Sequence, residues 1–282
     1  MTEKMAAGVA VDEVGAGEPV LLVHGTVVSG KATWRRQRPL ADRWWLLVME
    51  RRGYAPSPPV GREDYDRDTE DVVAVLSDHG PAHMVGHSYG AIAVLKAAAT
   101  VPALVRSLTV IEPPVFALCV HDPRVAEMVA DLEALFAGEP SDAEGFLRQF
   151  WSVTGTGGSL PDPLPPALAE NAPLLMGQRP PWTADIPTAQ IAACTYPKLV
   201  VSGGHNPVFD LMSQSLADGI GGRLVTLPGE MHSPQRLGPA FNDVLEEHLR
   251  IAGAPQVRHL DPRTGMSDVT TWPEKGVHED AG

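Results

Sequence analysis

Ala82-His83-Met84-Val85-Gly86-His87-Ser88-Tyr89-Gly90-Ala91-Ile92-Ala93-Val94-Leu95 decides the fold of this 282-residue chain. The first four residues read as a short buried strand, and the run from Ala91 to Ala99 is almost wholly small and apolar, as a buried helix requires. Between them lies Gly86-His87-Ser88-Tyr89-Gly90, a strand-to-helix turn that carries a serine at its tip. So sharp a turn forces the serine into strained backbone angles, and the small residues at 86 and 90 let strand and helix approach each other. The hydroxyl then projects over the sheet edge, where the free N–H groups and positive end of the following helix favour a developing oxyanion.

Working outward, similar short apolar runs occupy residues 20–23, 45–49, 107–111, 198–202 and 223–227, each bounded by Gly, Pro or charge. Their length favours strands over helices. Helical spacing marks 65–78, with Val72, Val73, Val75 and Leu76 on one face, and 234–251, with Leu237, Phe241, Leu245 and Leu249. Alternating strands and helices predict an α/β fold, a mostly parallel sheet flanked by helices. Residues 113–193 break the rhythm: helix-like stretches at 125–136 and 143–151 precede a Gly/Pro-rich passage. The expected organisation is a core of residues 1–112 and 194–252, an inserted helical cap at 113–193, and an aperiodic surface tail at 253–282.

Hydrophobic residues make up 44% of the chain and the formal net charge is −13. The first value suits a packed globular domain, and the second repels phosphate backbones and anionic membranes, so neither nucleic acid nor membrane is an expected partner. Cys119 and Cys194 have no metal-like spacing and read as thiols of a reducing cytoplasm. The residues from Met1 to Ala7 lack an apolar signal segment, and no window approaches ~18 uncharged apolar residues. A cytoplasmic monomer or homodimer follows as the expectation.

Serine needs a base within hydrogen-bond reach to become a nucleophile. Of ten histidines, His232 follows the last strand run and precedes the closing helix, where a loop reaches back over the carboxyl ends of the strands. His24 and His87 read as structural. The third member, a carboxylate that orients the imidazole, has its usual place after the strand at 199–202, yet Gly203-Gly204-His205-Asn206-Pro207 offers none. An amide at Asn206 would select the wrong tautomer, a change that costs about four orders of magnitude in a serine protease. Glu112, at the end of the strand at 107–111, is the better acid, with Asp210 as the fallback. Backbone N–H groups of Thr26 and Tyr89 are the expected oxyanion donors. Gly25-Thr26-Val27-Val28-Ser29-Gly30-Lys31-Ala32 approaches a phosphate-binding loop, but Ala32 stands where a magnesium-binding hydroxyl is required.

This ordered set resembles the α/β-hydrolase superfamily from Val9 to Ile251: Val23-His24-Gly25-Thr26, Trp34, the run from Met49 to Ser57, the turn at Ser88, Ile111-Glu112-Pro113-Pro114, residues 203–207 and Gly229-Glu230-Met231-His232. More narrowly it is similar to a bacterial subgroup with Glu-Pro-Pro at that strand end and to zearalenone-type lactonases, in which this earlier glutamate is taken as the triad acid. Glu50 and Pro56 depart from the usual Asp and Gly. The resemblance implies a serine hydrolase that cleaves an ester or lactone of a hydrophobic small molecule through an acyl-enzyme, with no metal and no organic cofactor. Phe150, Trp151 and Trp182 of the cap are the expected substrate-binding residues. The same scaffold also hosts cofactor-free lyases or cyclases and non-catalytic ligand-binding proteins, so these remain alternatives.

Overall fold

The computed structural model describes residues 2–6, 8–138 and 142–253. The expected tail, apart from Gly253 at the end of the last helix, therefore lies outside the described residues. An eight-stranded sheet runs through the molecule in the order β1-β2-β4-β3-β5-β6-β7-β8. Its strands are β1 (Thr2–Ala6), β2 (Val9–Val14), β3 (Glu18–Val23), β4 (Trp44–Glu50), β5 (Ala82–His87), β6 (Val105–Ile111), β7 (Lys198–Ser202) and β8 (Arg223–Thr226). From β4 to β8 every pairing is parallel, whereas β1, β2 and β4 pair antiparallel. The antiparallel edge is absent from the sequence reading because its charges at Glu3, Lys4, Asp12 and Glu13 interrupt the apolar run.

Alternation along the central strands supplies two apolar faces. Leu21 and Val23 of β3 and Leu47 and Met49 of β4 face one layer, and Val20, Leu22, Leu46 and Val48 face the other. Helices α2 (Tyr65–His79), α3 (Tyr89–Thr100) and α8 (Pro207–Ile220) cover the first face through Val72, Leu95, Met212 and Leu216. On the second, Phe241, Leu245 and Leu249 of α9 (Pro239–Gly253) pack with Trp34 and Leu40. Each such fully buried side chain contributes roughly 1.5–3 kcal/mol, which locks the sheet between its helices.

Between α3 and α8 in the chain come α4 (Pro123–Ala137), α5 (Ala143–Thr154), α6 (Pro166–Met176) and α7 (Thr188–Ala192); α1 is the short turn Gly30–Thr33. Phe146 and Leu147 of α5 and Ala172 and Leu175 of α6 form a separate cluster with Leu164 and Val27, so α5 and α6 rest on the loop after β3. The Gly/Pro-rich passage thus holds a helix, α6, which opens with Pro166 at a position that needs no N–H.

Candidate active site

Ser88 joins β5 to α3 with φ 51° and ψ −125°, a conformation that costs a non-glycine residue on the order of 1–3 kcal/mol. Its N–H donates to the Ile111 carbonyl at 2.9 Å, which ties the turn to β6. A Cβ at residue 90 would lie 2.2 Å from the His24 carbonyl oxygen. Only glycine lets the start of α3 approach the β3 loop this closely.

His232 lies on the loop after β8. Its Nε2 is 2.9 Å from Ser88 Oγ and its Nδ1 is 3.1 Å from Glu112 Oε2. A carboxylate only accepts, so Nδ1 carries the proton and Nε2 is left to accept from the serine hydroxyl. The His87 ring donates from Nε2 to the His232 carbonyl at 2.8 Å and fixes the loop from below. Burial, and then the nearby His232, lower the His87 pKa to about 3, so this support stays neutral.

Glu112 is fully buried at the end of β6, with φ 49°. Oε1 accepts from the Gly203 N–H, and Ser202 Oγ stands 3.3 Å from it with its single proton turned to Asp210. Burial opposes its ionisation, but the His232 hydrogen bond and charge, the Gly203 N–H and His205 outweigh it and hold the carboxyl below its ordinary value. Asp210 instead accepts from Ser202 Oγ, and among the described residues it makes no hydrogen bond to His232. Asn206 is turned away as well: Oδ1 caps α8 by accepting from the Val208 N–H at 2.9 Å, and Nδ2 donates to the Thr154 carbonyl. The structure thus joins Ser88, His232 and Glu112 in one hydrogen-bonded chain and leaves Asp210 and Asn206 outside it.

Thr26 and Tyr89 flank Ser88 in the same cavity. The loop bearing Thr26 is held from several directions. Val27, at φ 67°, donates its N–H to Tyr54 Oη at 2.7 Å, and its carbonyl accepts from Asn171. Thr26 Oγ1 donates to Glu63. Beneath the loop the buried Arg51 guanidinium donates to the Gly25 carbonyl, Glu63 and Asp68 at 2.7–2.8 Å, with its carbon 4.8 Å from the Tyr89 ring centroid. This arginine network escapes sequence reasoning because its partners are 12–26 positions away with no local pattern. Glu50 explains the failed phosphate loop: its carboxylate accepts from the N–H groups of Gly30 and Lys31 at 2.7 Å each, where a phosphate would otherwise sit.

The cavity over Ser88 has a volume of about 590 Å³. Phe150 and Trp151 line it, together with Phe116, Leu132, Leu168 and Phe209. Trp182 is not among the lining residues. It is partly buried and packs edge-on against Phe116 and Phe136, with ring centroids 6.5 and 5.3 Å away, against the apolar core rather than in the cavity lining. Among the described residues, Glu112, His205 and His232 are the group whose side-chain atoms could hold a metal ion. No described helix is long and apolar enough to cross a membrane.

The sequence profile of the Alpha/beta hydrolase family matches residues 20–244. A pimeloyl-[acyl-carrier protein] methyl ester esterase of Aeromonas hydrophila is 27% identical over 190 residues, 66% of this chain and 68% of that protein. Among solved structures, an alpha/beta hydrolase from Sphaerobacter thermophilus is 26% identical with a TM-score of 0.61, covering 86% of this chain and 100% of that one. Est816, described as an N-acyl homoserine lactone degrading enzyme, superposes with a TM-score of 0.58 at 21% identity, over 87% of this chain and 99% of its own, a likeness of fold alone. With the profile spanning both the strand–turn–helix at Ser88 and the loop of His232, this chain belongs to the alpha/beta hydrolase family.

Proposed function

We propose that the chain is a serine hydrolase that cleaves an ester or lactone of a hydrophobic small molecule through an acyl-enzyme. The observation that carries this reading is the hydrogen-bonded chain Ser88 Oγ–His232 Nε2 and His232 Nδ1–Glu112 Oε2, at 2.9 and 3.1 Å. Ser88 attacks the carbonyl carbon as its proton passes to His232 Nε2. The imidazolium, stabilised by Glu112, then returns that proton to the leaving alkoxide, and water repeats the sequence on the acyl-enzyme. The N–H groups of Thr26 and Tyr89 would hold the oxyanion, and the rigid Arg51 network under Gly25 would keep the first of them in place. Residues 113–193 act as a cap whose Phe150 and Trp151 face the acyl or lactone moiety. The curated esterase relative agrees with ester cleavage, and the lactone-degrading structural neighbour shows that such a fold accommodates lactones.

Hydrolysis of p-nitrophenyl acyl esters and aryl lactones by wild type and Ser88→Ala tests the proposal. Turnover by wild type, its loss in Ser88→Ala, and covalent labelling of wild type alone by a fluorophosphonate are the expected results. A chain that binds apolar esters, hydrolyses none and resists labelling would refute it.

A further inference from the structure

His205 lies three residues beyond the end of β7, and both its ring nitrogens are buried without a hydrogen-bond partner among the described residues. Its side chain is 8% exposed, and a buried polar group without a partner is unfavourable. The ring is stacked on Phe209 at 6.0 Å, which fixes its plane, and Nδ1 stands 3.8 Å from Glu112 Oε2. The same oxygen engages His232 Nδ1 at 3.1 Å. One ligand atom from each of Glu112, His205 and His232 lies within 4.8 Å of the other two.

We propose that Glu112, His205 and His232 form an inhibitory site for a divalent transition-metal ion of the zinc type. Two imidazoles and a carboxylate are an N/O donor set suited to zinc, with a fourth position left for water. Ligand atoms about 2.0–2.1 Å from a tetrahedral ion are roughly 3.3 Å apart, so the two separations to Glu112, 3.1 and 3.8 Å, are near that span, and the His205–His232 pair, within 4.8 Å, closes by rotation of the His205 side chain. Binding through His232 Nδ1 moves that ring's proton to Nε2. An Nε2–H donates instead of accepting, and Glu112 is drawn to the ion, so the base that serves Ser88 is switched off. The inhibition rests on the hydrolase reading; the binding does not.

The test uses tag-free full-length protein and two readouts. Co2+ titrated into Ser88→Ala is expected to give one ion per chain with visible bands of tetrahedral intensity, displaced by Zn2+. His205→Phe in that background, and His205→Gln as a second variant should the first misfold, are expected to weaken binding by at least about tenfold. In wild type, Zn2+ is expected to suppress ester hydrolysis reversibly, with recovery on chelation, and His205→Gln to be less sensitive relative to its own metal-free rate. Absent tetrahedral bands, or equal Co2+ affinity with and without His205, would overturn the site. His205-dependent Co2+ binding by a chain that cleaves no ester would uphold the site and sink the hydrolase reading instead.

Discussion

The carboxyl ends of β6 and β7 lie side by side and serve the same histidine in different ways. From β6 comes a carboxylate: Glu112, buried and ionised, accepts from His232 Nδ1. From β7 comes what keeps that carboxylate in place: the Gly203 N–H, which donates to Oε1. Asn206, where an acid would ordinarily follow β7, has become the cap of α8 and a tether to Thr154 of the inserted helices. On the proposed reading, the difference teaches that the triad acid is defined by reach to the imidazole, and that an adjacent strand can supply it once the neighbouring strand end supplies an N–H donor in place of charge.

Changes at the two strand ends should therefore differ sharply. Glu112→Gln leaves the shape intact but removes the charge and reverses the tautomer, so kcat against an activated ester is expected to fall by about four orders of magnitude. Steady-state kinetics check this, and Asn206→Ala measured beside it should keep most of its activity. Gly203→Ala is the next most severe. Its Cβ would stand 1.8 Å from the Met231 carbonyl oxygen, which forces the His232 loop to move, and a displacement of about 1 Å costs on the order of a hundredfold in rate. A near-normal kcat/KM in this variant would show that the β7 end does not set the position of His232. Asn206→Ala loses the cap of α8, so chemical denaturation should show a loss of about 1 kcal/mol in stability.

A further expected effect, outside catalysis, is on acid stability. His87 has a folded pKa of about 3 against an ordinary 6.5, so between those values the unfolded chain binds more protons than the folded one. Stability then rises with pH through that window and is lost as pH falls through it; the lowered Glu112 carboxyl adds loss of the same sign in the acid range. Melting temperatures across the window should show this slope, and His87→Gln, which keeps a donor for the His232 carbonyl, should reduce it, the remainder coming from His24 and His248, whose pKa values burial also lowers. An unchanged slope would mean that His87 is not what charges on acid unfolding.

Much of the core is legible because its strands are continuous apolar runs buried on both faces, and the parallel order follows from helices between them. The turn at Ser88 is local, so its context can be read directly. The charge-broken edge of β1 and β2 is not, whereas α8 carries local signals: Asn206-Pro207 is a cap followed by a first-turn proline, and Phe209, Met212, Leu216 and Ile220 follow at helical spacing. Glu112 was legible as a strand-end carboxylate, but its hold by Gly203 depends on β6 pairing with β7, which periodicity does not reveal. The place of Trp182 has the same cause: composition supplies an aromatic without saying which side of a wall it occupies.

The most direct test of the account is the proton NMR signal of His232 Nδ1–H, assigned by isotope labelling and observed without substrate. In wild type it should resonate far downfield, as an imidazole N–H donated to a buried carboxylate does; it should persist in Asn206→Ala and Asp210→Asn and vanish or move strongly upfield in Glu112→Gln. A downfield signal untouched by Glu112→Gln but abolished by Asp210→Asn would place the acid on the β7 side and contradict the account.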